Sequence, residues 1–298
     1  MIVDGKAIAE ELKNELRIMN HELRKQLRLA IILVACSVID SEVAQTRGEQ
    51  TREGDPSTKL RASSPSSKFV EMKKKFGEGV GIETKVYEFG ENVSTTELRK
   101  ELAEICGDKK NDGVIIQLPL PPQINTQYIL DGIPIEKDVD VLSAKAMGKF
   151  MTGRGILPPV VGAVKEILER HNVEVKGKNV VVLGAGKLVG APVATWLMQQ
   201  GATVSVLNEF SHDSEFIIHN SDIITSGVGK PGILTAQMVK DGVVIIDAGT
   251  SEQSGKLIGD VSPDVANKAS LFTPVPSGVG PITVAMLFKN LFALSLKK

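Results

Sequence analysis

Val180-Val-Val-Leu-Gly184-Ala-Gly186-Lys-Leu-Val-Gly190 is the stretch that decides how the second half of this chain folds. An apolar run of strand length ends in a glycine-rich turn, and a helical pattern at 190–200 begins directly after it. Glycines let the backbone turn sharply and approach a pyrophosphate, which free N–H groups at a helix N-terminus then stabilise. Because a second strand, 203–207, follows the helix, the context predicts a dinucleotide site.

The residues of this turn are the candidate cofactor contacts: Gly184, Ala185, Gly186, Lys187 and Gly190. Their spacing is Gly-x-Gly-x-x-x-Gly rather than the tighter Gly-x-Gly-x-x-Gly, so the glycine pattern alone is weak evidence. An ordinary strand-to-helix turn is the alternative interpretation, and the flanking strand and helix favour binding.

Glu209 follows the next strand, about where an acidic residue accepts hydrogen bonds from the adenosine ribose hydroxyls of a bound dinucleotide. A carboxylate there would repel the extra phosphate of NADP, and Lys187 is the only adjacent cation in the sequence. The sequence therefore favours NAD over NADP, with a solvated surface glutamate as the alternative interpretation.

The elements around this turn complete a domain. A helix is predicted at 160–171, and further strands are predicted at 222–226 and 243–247. Together they make a compact doubly wound unit, which we assign as a Rossmann-like dinucleotide-binding domain at 151–272. The remaining segment, 273–298, is expected to be a loop and a helix that return to pack on the first domain.

The first half of the chain also alternates helix and strand. Apolar residues spaced by three or four predict a helix at 4–26, and a capping box, Ser94-Thr-Thr-Glu97, opens another. A continuous apolar run at 29–34 is typical of a strand buried on both faces of a parallel sheet, and a second buried strand is predicted at 114–117. We therefore expect a domain at 1–150, and the fold class is α/β with two α/β domains.

Residues 35–65 do not fit this alternation. They form a long polar connection, rich in Ser, Thr, Arg, Glu and Gly, between the strand at 29–34 and the next helix. A connection of this length inside a compact domain is uncommon and is usually functional or disordered. We interpret it as an unusual insertion that forms a lid or a disordered loop, with a disrupted segment as the alternative.

Composition argues against several classes of function. The chain has 298 residues, 24% of them charged, and a formal net charge of −1. A nucleic-acid or membrane-surface partner would normally leave a basic surplus, so neither is expected. No apolar run approaches the roughly 20 residues that span a bilayer, and the N-terminus lacks a signal-peptide core, so we expect a cytoplasmic protein.

Cysteine and histidine usage argues against a metal centre. Cys36 and Cys106 lie beside apolar residues and are interpreted as reduced core thiols rather than as a disulfide or a metal pair. The histidines have no metal-ligand spacing, and they are His21, His171, His212 and His219.

Three polar features of the first half could carry chemistry. Lys73 lies four residues after Phe69 on a predicted helix, so the two share a face, although lysines on helices are usually solvated. Gln117 is unusual because it ends an apolar strand directly before a proline-rich run. Asp138 and Asp140 lie in a loop, where two carboxylates normally form a turn or a cap.

Together these residues carry a resemblance to a known family. Outside the 35–65 region, the chain resembles the bifunctional methylenetetrahydrofolate dehydrogenase/cyclohydrolases over most of its length. The matching pieces are Asp4-Gly-Lys6, Phe69-Val-x-x-Lys73, Gly113-Val-Ile-Ile-Gln-Leu-Pro-Leu-Pro121, Lys137-Asp-Val-Asp140, Val189-Gly-Ala-Pro192, Ile246-Asp-Ala-Gly249, Gly259-Asp-Val261 and Thr273-Pro-Val-Pro-Ser-Gly-Val-Gly-Pro281.

The resemblance implies roles for the polar residues of the first half. Lys73 matches the family's catalytic lysine, and Gln117 matches the glutamine that hydrogen-bonds to that lysine and orients it. Asp140 matches the carboxylate that pairs with the amino-pyrimidine edge of the pterin. Phe69 stands in the place of an aromatic residue, usually tyrosine, that stacks on the folate.

The last two matching loops supply further contacts by the same resemblance. Pro276 and Gly278 are expected to bind substrate, whereas Gly249 and Thr250 are expected to bind the cofactor. The resemblance also implies a homodimer that forms through the cofactor domains.

The implied chemistry belongs to one-carbon metabolism. The family oxidises 5,10-methylenetetrahydrofolate to 5,10-methenyltetrahydrofolate with NAD or NADP, and then hydrolyses the product to 10-formyltetrahydrofolate. A cationic intermediate beside Lys73 should lower the pKa of that lysine, which suits it to proton transfer near neutral pH.

The chain departs from the family pattern at several positions. Phe69 keeps a stacking ring but lacks the phenol hydroxyl, and Val141 and Ser277 each replace a glycine. In the cofactor turn, Ala185-Gly186 replaces an Arg-Ser pair, and Glu209 stands about where many members have a serine. NADP-using members grip the ribose phosphate with that arginine and serine, so the departures again favour NAD.

Two other interpretations stay open at this point. One is a folate- or dinucleotide-binding protein that has lost one or both activities, and the other is a different small-substrate NAD-dependent dehydrogenase. A rise in melting temperature with tetrahydrofolate analogues but no turnover would favour the first. Turnover of a hydroxy or amino acid would favour the second.

Overall fold

The structure, a computed structural model, describes residues 1–23, 25–35, 65–253 and 256–296. The expectation for Cys36 and nearly all of the 35–65 insertion lie outside the described residues. Cys106 is a buried free thiol, as expected from its apolar neighbours. Two parallel sheets organise the described part of the chain into two α/β units.

The first sheet has three parallel strands: β1 (Arg28–Val34), β2 (Glu83–Phe89) and β3 (Gly113–Ile116). Their order is β2-β1-β3, so β1 lies at the centre and pairs on both sides. Only the first residue of β1 escapes full burial, which is the pattern of a strand covered on both faces. This confirms the interpretation of the apolar run at 29–34.

Three helices from the first half of the chain flank this sheet: α1 (Gly5–Glu22), α2 (Pro65–Val80) and α3 (Thr95–Gly107). Asp4 caps α1, because its carboxylate accepts hydrogen bonds from two backbone N–H groups of the first turn. Ser94 and Glu97 form the predicted capping box at the start of α3. Side chains from α1 and α2 pack on one face of the sheet, and those from α3 pack on the other.

The second sheet has five parallel strands: β4 (Asn179–Leu183), β5 (Thr203–Leu207), β6 (Ile223–Ser226), β7 (Val244–Asp247) and β10 (Leu271–Thr273). Their order is β10-β7-β6-β4-β5, so the chain runs from β4 to one side and then returns to β6 on the other. In such sheets, ligands bind at the carboxyl ends of the strands where the direction reverses. The glycine-rich turn follows β4 and therefore lies at this position.

The larger helices of this half also match the sequence prediction: α6 (Pro159–Arg170), α7 (Gly190–Gln199) and α9 (Val279–Ser295). The sequence pattern does not predict the shorter elements. They are α4 (Thr126–Leu130), α5 (Ala144–Met151), α8 (Ser214–His219), the antiparallel pair β8 (Ser251–Gln253) and β9 (Lys256–Ile258), strand β10, and 3₁₀ turns at Ala236–Met238 and Pro263–Asn267. Most of these contain too few residues to establish a helical or alternating period.

The N-terminus joins the two units. The Val3 N–H donates to the carbonyl oxygen of Phe272 at 2.9 Å, and the Phe272 N–H donates to that of Met1 at the same distance. The first residues of the chain thereby extend the sheet of the second unit before α1 enters the first.

Helix α9 joins the units a second time, because it packs against α1, α2 and α6. Asn290, buried on this helix, donates from Nδ2 to the carbonyl oxygens of Val139 and Leu157, each at 2.9 Å. The C-terminal helix therefore returns to the first unit, as expected from the sequence.

Among the residues that the structure describes, no helix is long and apolar enough to cross a membrane. The cytoplasmic location stays a prediction, and so do the domain boundaries at 150 and 272.

Candidate active site

Lys73 and Gln117 meet where α2 passes the end of β3. The Lys73 Nζ donates a hydrogen bond to Oε1 of Gln117 at 2.8 Å. The Gln117 Nε2 donates to the carbonyl oxygen of Leu118 at 3.0 Å, which fixes the amide so that its oxygen faces the lysine. Gln117 is only 8% exposed, so the unusual polar residue of the sequence is a buried partner of Lys73.

Burial sets the electrostatics of this pair. Removing the Lys73 ammonium from water lowers the pKa of Lys73, and the negative charge of Asp140 partly opposes that decrease. Lys73 is therefore partly buried and close to a carboxylate. The alternative interpretation, an ordinary solvated lysine on a helix surface, does not describe it.

Asp140 is the third member of the group. Burial raises the pKa of Asp140 to about 6, the charge of Lys73 acts in the opposite direction, and Asp138 raises it further. The residue is partly buried.

The two carboxylates of the Asp138-Val139-Asp140 loop have different roles. Asp138 is buried, and its carboxylate accepts hydrogen bonds from the N–H groups of Leu142 at 3.3 Å and Ser143 at 2.9 Å. It therefore holds the loop in shape, whereas Asp140 is left facing Lys73. The turn-or-cap interpretation of the sequence holds for the first carboxylate but not for the second.

The remaining candidate substrate contacts lie on two elements. Phe69 is partly buried one helical turn before Lys73 on α2. Pro276 is exposed and Gly278 is buried in the loop after β10, where the backbone of this loop lies directly against Gly5 at the start of α1. A side chain at position 5 would overlap that loop, which explains the glycine of the Asp4-Gly-Lys6 motif.

Two residues near these candidate substrate contacts have backbone angles that favour glycine. Val141 has φ +59° and Ser277 has φ +92°, although neither is a glycine. The left-handed region is strained for a β-branched residue, and the side chain of Val141 is fully buried. These are the two positions at which the sequence departs from a family glycine, so the backbone shape is kept despite the substitutions.

The glycine-rich turn has the geometry of a phosphate site. Gly184 has φ +90°, and its N–H donates to the carbonyl oxygen of Leu207 at 2.8 Å. A Cβ at Gly190 would overlap the carbonyl oxygen of Gly184, so only glycine lets α7 begin this close to the strand. Ala185, Gly186 and Lys187 are exposed at the mouth of the turn. This space fits a pyrophosphate at the N-terminus of α7.

Two buried carboxylates hold the loops that lie beside the glycine-rich turn. Asp260 accepts hydrogen bonds from the Ser226 hydroxyl and the Val228 N–H, both at 2.7 Å. Asp247 accepts from the N–H groups of Gly249 and Val261, both at 3.0 Å. They hold the loops after β6 and β7 together, because each carboxylate bridges segments that are distant in sequence.

Asp247 and Asp260 lie within the motifs that carry the resemblance, but the sequence alone predicts no role for them. Burial raises the pKa of Asp247 to about 6, and hydrogen bonds from Val261 and Asp260 oppose that increase. Gly249, a candidate cofactor contact, is buried against the Asp260 carboxylate, whereas the neighbouring Thr250 is exposed. The signal that could have found these carboxylates is the glycine beside each, since a side chain there would overlap them.

Glu209 is exposed and lies two residues beyond the end of β5. Because β5 runs parallel to β4, Glu209 lies at the same end of the sheet as Gly184. Its position is therefore compatible with contact to an adenosine ribose, and the structure gives it no other partner among the described residues. The solvated surface glutamate stays the alternative interpretation.

Two of the polar contacts between the units involve residues close to the candidate sites. The Lys68 Nζ donates to Oε1 of Glu252 at 3.0 Å, and the Lys187 Nζ donates to Oε1 of Gln127 at 3.1 Å. The first pair joins α2 to β8, and the second joins the glycine-rich turn to α4. The candidate folate and dinucleotide residues therefore lie on two units that are linked by hydrogen bonds.

Metal chemistry has no visible site in the described part of the chain. No group of three or more His, Cys, Asp or Glu side chains in it could hold a metal ion.

Comparisons with known proteins point to one family. The model of the tetrahydrofolate dehydrogenase/cyclohydrolase catalytic domain matches residues 41–140, and that of the corresponding NAD(P)-binding domain matches residues 158–298. A curated relative, the bifunctional protein FolD of Sulfurihydrogenibium sp., is 35% identical over 100% of this chain and 98% of the relative.

Solved structures agree with this result. The bifunctional FolD methylenetetrahydrofolate dehydrogenase/cyclohydrolase of Campylobacter jejuni is 33% identical, with a TM-score of 0.87, and the match covers 100% of this chain and 99% of that one. The Trypanosoma brucei enzyme, solved with NADP cofactor and inhibitor, is 31% identical with a TM-score of 0.86 and coverage of 100% and 97%.

The raised pKa of Asp140 predicts how its replacement affects stability. The folded chain holds the carboxyl proton up to about pH 6, whereas the ordinary pKa is 3.8, so folding binds a proton between these values. The stability that Asp140 contributes is therefore complete below pH 3.8 and is lost as pH rises through about 6. Asp140→Asn should be more stable than the unmodified chain at neutral pH by about 1–3 kcal/mol, with a difference that shrinks in acid.

Urea unfolding at a series of pH values measures this difference. Glu136→Gln is the control, because it removes an exposed carboxylate from the same loop. An equal pH dependence for the two variants would contradict the prediction.

Proposed function

The chain belongs to the tetrahydrofolate dehydrogenase/cyclohydrolase family, and on that premise we propose that it catalyses both reactions of one-carbon metabolism that the family's name describes. In the first, 5,10-methylenetetrahydrofolate is oxidised to 5,10-methenyltetrahydrofolate with a nicotinamide dinucleotide. In the second, the methenyl product is hydrolysed to 10-formyltetrahydrofolate. The observation that carries the proposal is the partly buried Lys73, held by Gln117 and facing Asp140.

Asp140 is suited to bind the pterin. Its pKa of about 6 leaves the carboxylate ionised at neutral pH, so it can accept two hydrogen bonds from the N–H groups of an amino-pyrimidine edge. The neighbouring Asp138 is fully occupied with the loop backbone and keeps Asp140 in position. Phe69, on the same helix as Lys73, offers a ring for stacking on the folate.

Lys73 is suited to move the proton in the hydrolysis. Its lowered pKa increases the fraction of neutral amine near pH 7, and a cationic methenyl group beside it would increase that fraction further. When water adds to the methenyl carbon, the water loses a proton, and the Lys73 Nζ is the group that accepts it. The hydrogen bond to Gln117 orients the amine for this transfer.

The glycine-rich turn is suited to hold the dinucleotide. Gly184, Gly186 and Gly190 leave room for a pyrophosphate against the N-terminus of α7, and Lys187 offers a positive charge beside it. Bound there, the dinucleotide supplies the hydride acceptor for the oxidation. The contribution of this chain to that step is to hold both rings in contact across the cleft, which converts a bimolecular encounter into a fixed geometry.

Turnover of 5,10-methylenetetrahydrofolate, followed as formation and decay of the methenyl product, tests the proposed function directly. Lys73→Met should reduce kcat/KM for hydrolysis by at least about 100-fold, because the variant keeps the length of the side chain but cannot accept a proton. Lys75→Met is the matched control, an exposed lysine on the same helix.

Absence of turnover with either dinucleotide, together with binding of tetrahydrofolate, would instead support the binding-only interpretation. Persistence of both activities in Lys73→Met would show that Lys73 is not catalytic.

We further propose that the cofactor is NAD rather than NADP. Ala185 and Gly186 provide no positive side chain for a ribose phosphate, and the exposed carboxylate of Glu209 would repel one. The support for this preference lies in charge alone, because no hydrogen bond or ion pair joins Glu209 to the turn in the described part of the chain.

Initial rates with each dinucleotide measure the preference. We expect a lower KM for NAD than for NADP, and Glu209→Ser should improve kcat/KM for NADP relative to NAD by about fivefold or more. Glu215→Gln, which neutralises an exposed acid on α8, should leave the ratio unchanged. A lower KM for NADP in the unmodified chain would contradict the proposal.

We also infer that the protein is a homodimer that forms through its cofactor domains. Strand β5 is the edge of the second sheet, so one side of its backbone pairs with no strand in the described part of the chain. Val206 on this strand is 41% exposed, and Phe210 just beyond it is 78% exposed. An apolar edge strand of this kind is suited to pair with its symmetry mate.

Sedimentation equilibrium tests the dimer. Two chains of 32.0 kDa should sediment together at micromolar concentration, and Phe210→Glu should weaken the association. Met151→Lys, at an exposed apolar position on α5, is the control that should leave it intact. A monomer in the unmodified chain would contradict the inference.

A further inference from the structure

Gln127 lies between the two candidate sites and outside every motif on which the family resemblance rests. It belongs to α4, whose backbone is fixed to α3 on its outer side. The Asn125 N–H donates to Oγ1 of Thr95 at 3.1 Å, and the Arg99 guanidinium donates to the carbonyl oxygen of Tyr128 while it covers the Tyr128 ring. Gln127 is therefore carried by a short helix that is held in place.

The side chain of Gln127 is bonded at both ends. Its Oε1 accepts the hydrogen bond from Lys187 Nζ at 3.1 Å, across the boundary between the two units. Its Nε2 donates to Oδ1 of Asp131 at 3.0 Å and, more weakly, to the carbonyl oxygen of Leu142 at 3.5 Å. One amide thus connects the glycine-rich turn to the first unit.

The chain of hydrogen bonds continues to the loop that carries Asp140. The same Asp131 Oδ1 accepts from the Ala144 N–H at 2.8 Å, and the Leu142 N–H donates to Asp138. Asp140 lies between the residues that these bonds hold, at 138 and at 142–144. The path from Lys187 to this loop therefore needs only Gln127 and Asp131 as intermediates.

We propose that Gln127 is a positioning residue that couples binding of the dinucleotide to binding of the folate, which rests on the function proposed above. A lysine ammonium has three N–H donors, so Lys187 can bind a pyrophosphate oxygen and still donate to Gln127. A bound pyrophosphate fixes Lys187, and successive hydrogen bonds then strengthen one another. The loop of Asp140 is ordered before the folate arrives, so the two ligands bind with positive cooperativity.

Calorimetry with tetrahydrofolate and NAD measures this coupling, because tetrahydrofolate carries no one-carbon unit and is not turned over. In the unmodified chain, saturating NAD should lower the Kd of tetrahydrofolate by about fivefold or more. Tetrahydrofolate should lower the Kd of NAD by the same factor, since coupling between two sites is reciprocal.

Two variants of Gln127 test the two ends of its side-chain amide. Gln127→Ala removes all three side-chain hydrogen bonds, and Gln127→Glu keeps an acceptor for Lys187 but loses the donor to Asp131 and Leu142. Both should reduce the coupling factor to less than about twofold. Gln199→Ala is the matched control, because Gln199 also joins two segments, through the carbonyl oxygens of Phe150 and Met151, but at the far end of α7. Its coupling factor should equal that of the unmodified chain.

Each outcome of this experiment either supports or overturns the proposed role of Gln127. A coupling factor below twofold in the unmodified chain, or an unchanged factor in Gln127→Ala, would overturn the role of Gln127. Equal weakening of both ligands with the factor preserved would identify a merely structural residue and would also overturn it. Failure of the unmodified chain to bind tetrahydrofolate or to turn over its methylene derivative would instead reject the proposed function, and the coupling with it.

Discussion

Parallel strands satisfy their backbone hydrogen bonds within the sheet, so the only places where polar groups can face a ligand are the ends of the strands. Much of the candidate site of this chain follows from that constraint, although Lys73 and Phe69 come from helix α2. Gln117 follows β3, the glycine-rich turn follows β4, and the Asp247 and Asp260 network joins the loops after β6 and β7. Hydrogen bonds from Lys68 to Glu252 and from Lys187 to Gln127 link the two units beside these candidate residues.

Burial of charge is what gives these residues their chemistry. A lysine, an aspartate and a glutamine on a protein surface would be ordinary, but in the cleft the pKa of Lys73 decreases and that of Asp140 increases to about 6. The same burial is tolerated at Asp138 and Asp260 because backbone N–H groups donate to their carboxylates. Neighbouring carboxylates thus divide into those that hold loops and one that remains available for a ligand.

The contacts between the two units are also of two kinds. The N-terminal pairing of Val3 with Phe272 and the packing of α9 are apolar or backbone contacts that fix how the units meet. The polar contacts of Lys68 and Lys187 cross the cleft itself, close to the residues that would hold ligands. Strain at Val141 and Ser277 lies in the same region, which shows that the backbone shape there is imposed by the surrounding structure.

The sequence by itself determined the buried strands, the capping box at Ser94, the glycine-rich turn and, through the family motifs, the pairing of Lys73 with Gln117. These features follow from the spacing of apolar residues, from the residue types that turns and helix caps require, or from family motifs that name the residues themselves. Only the tertiary structure separated Asp138 from Asp140, assigned a role to Asp247 and Asp260, and brought Gln127 to Lys187. The physical reason is distance along the chain: Gln127 and Lys187 are 60 residues apart, and no local pattern encodes which side chains meet when two separate sheets are packed together.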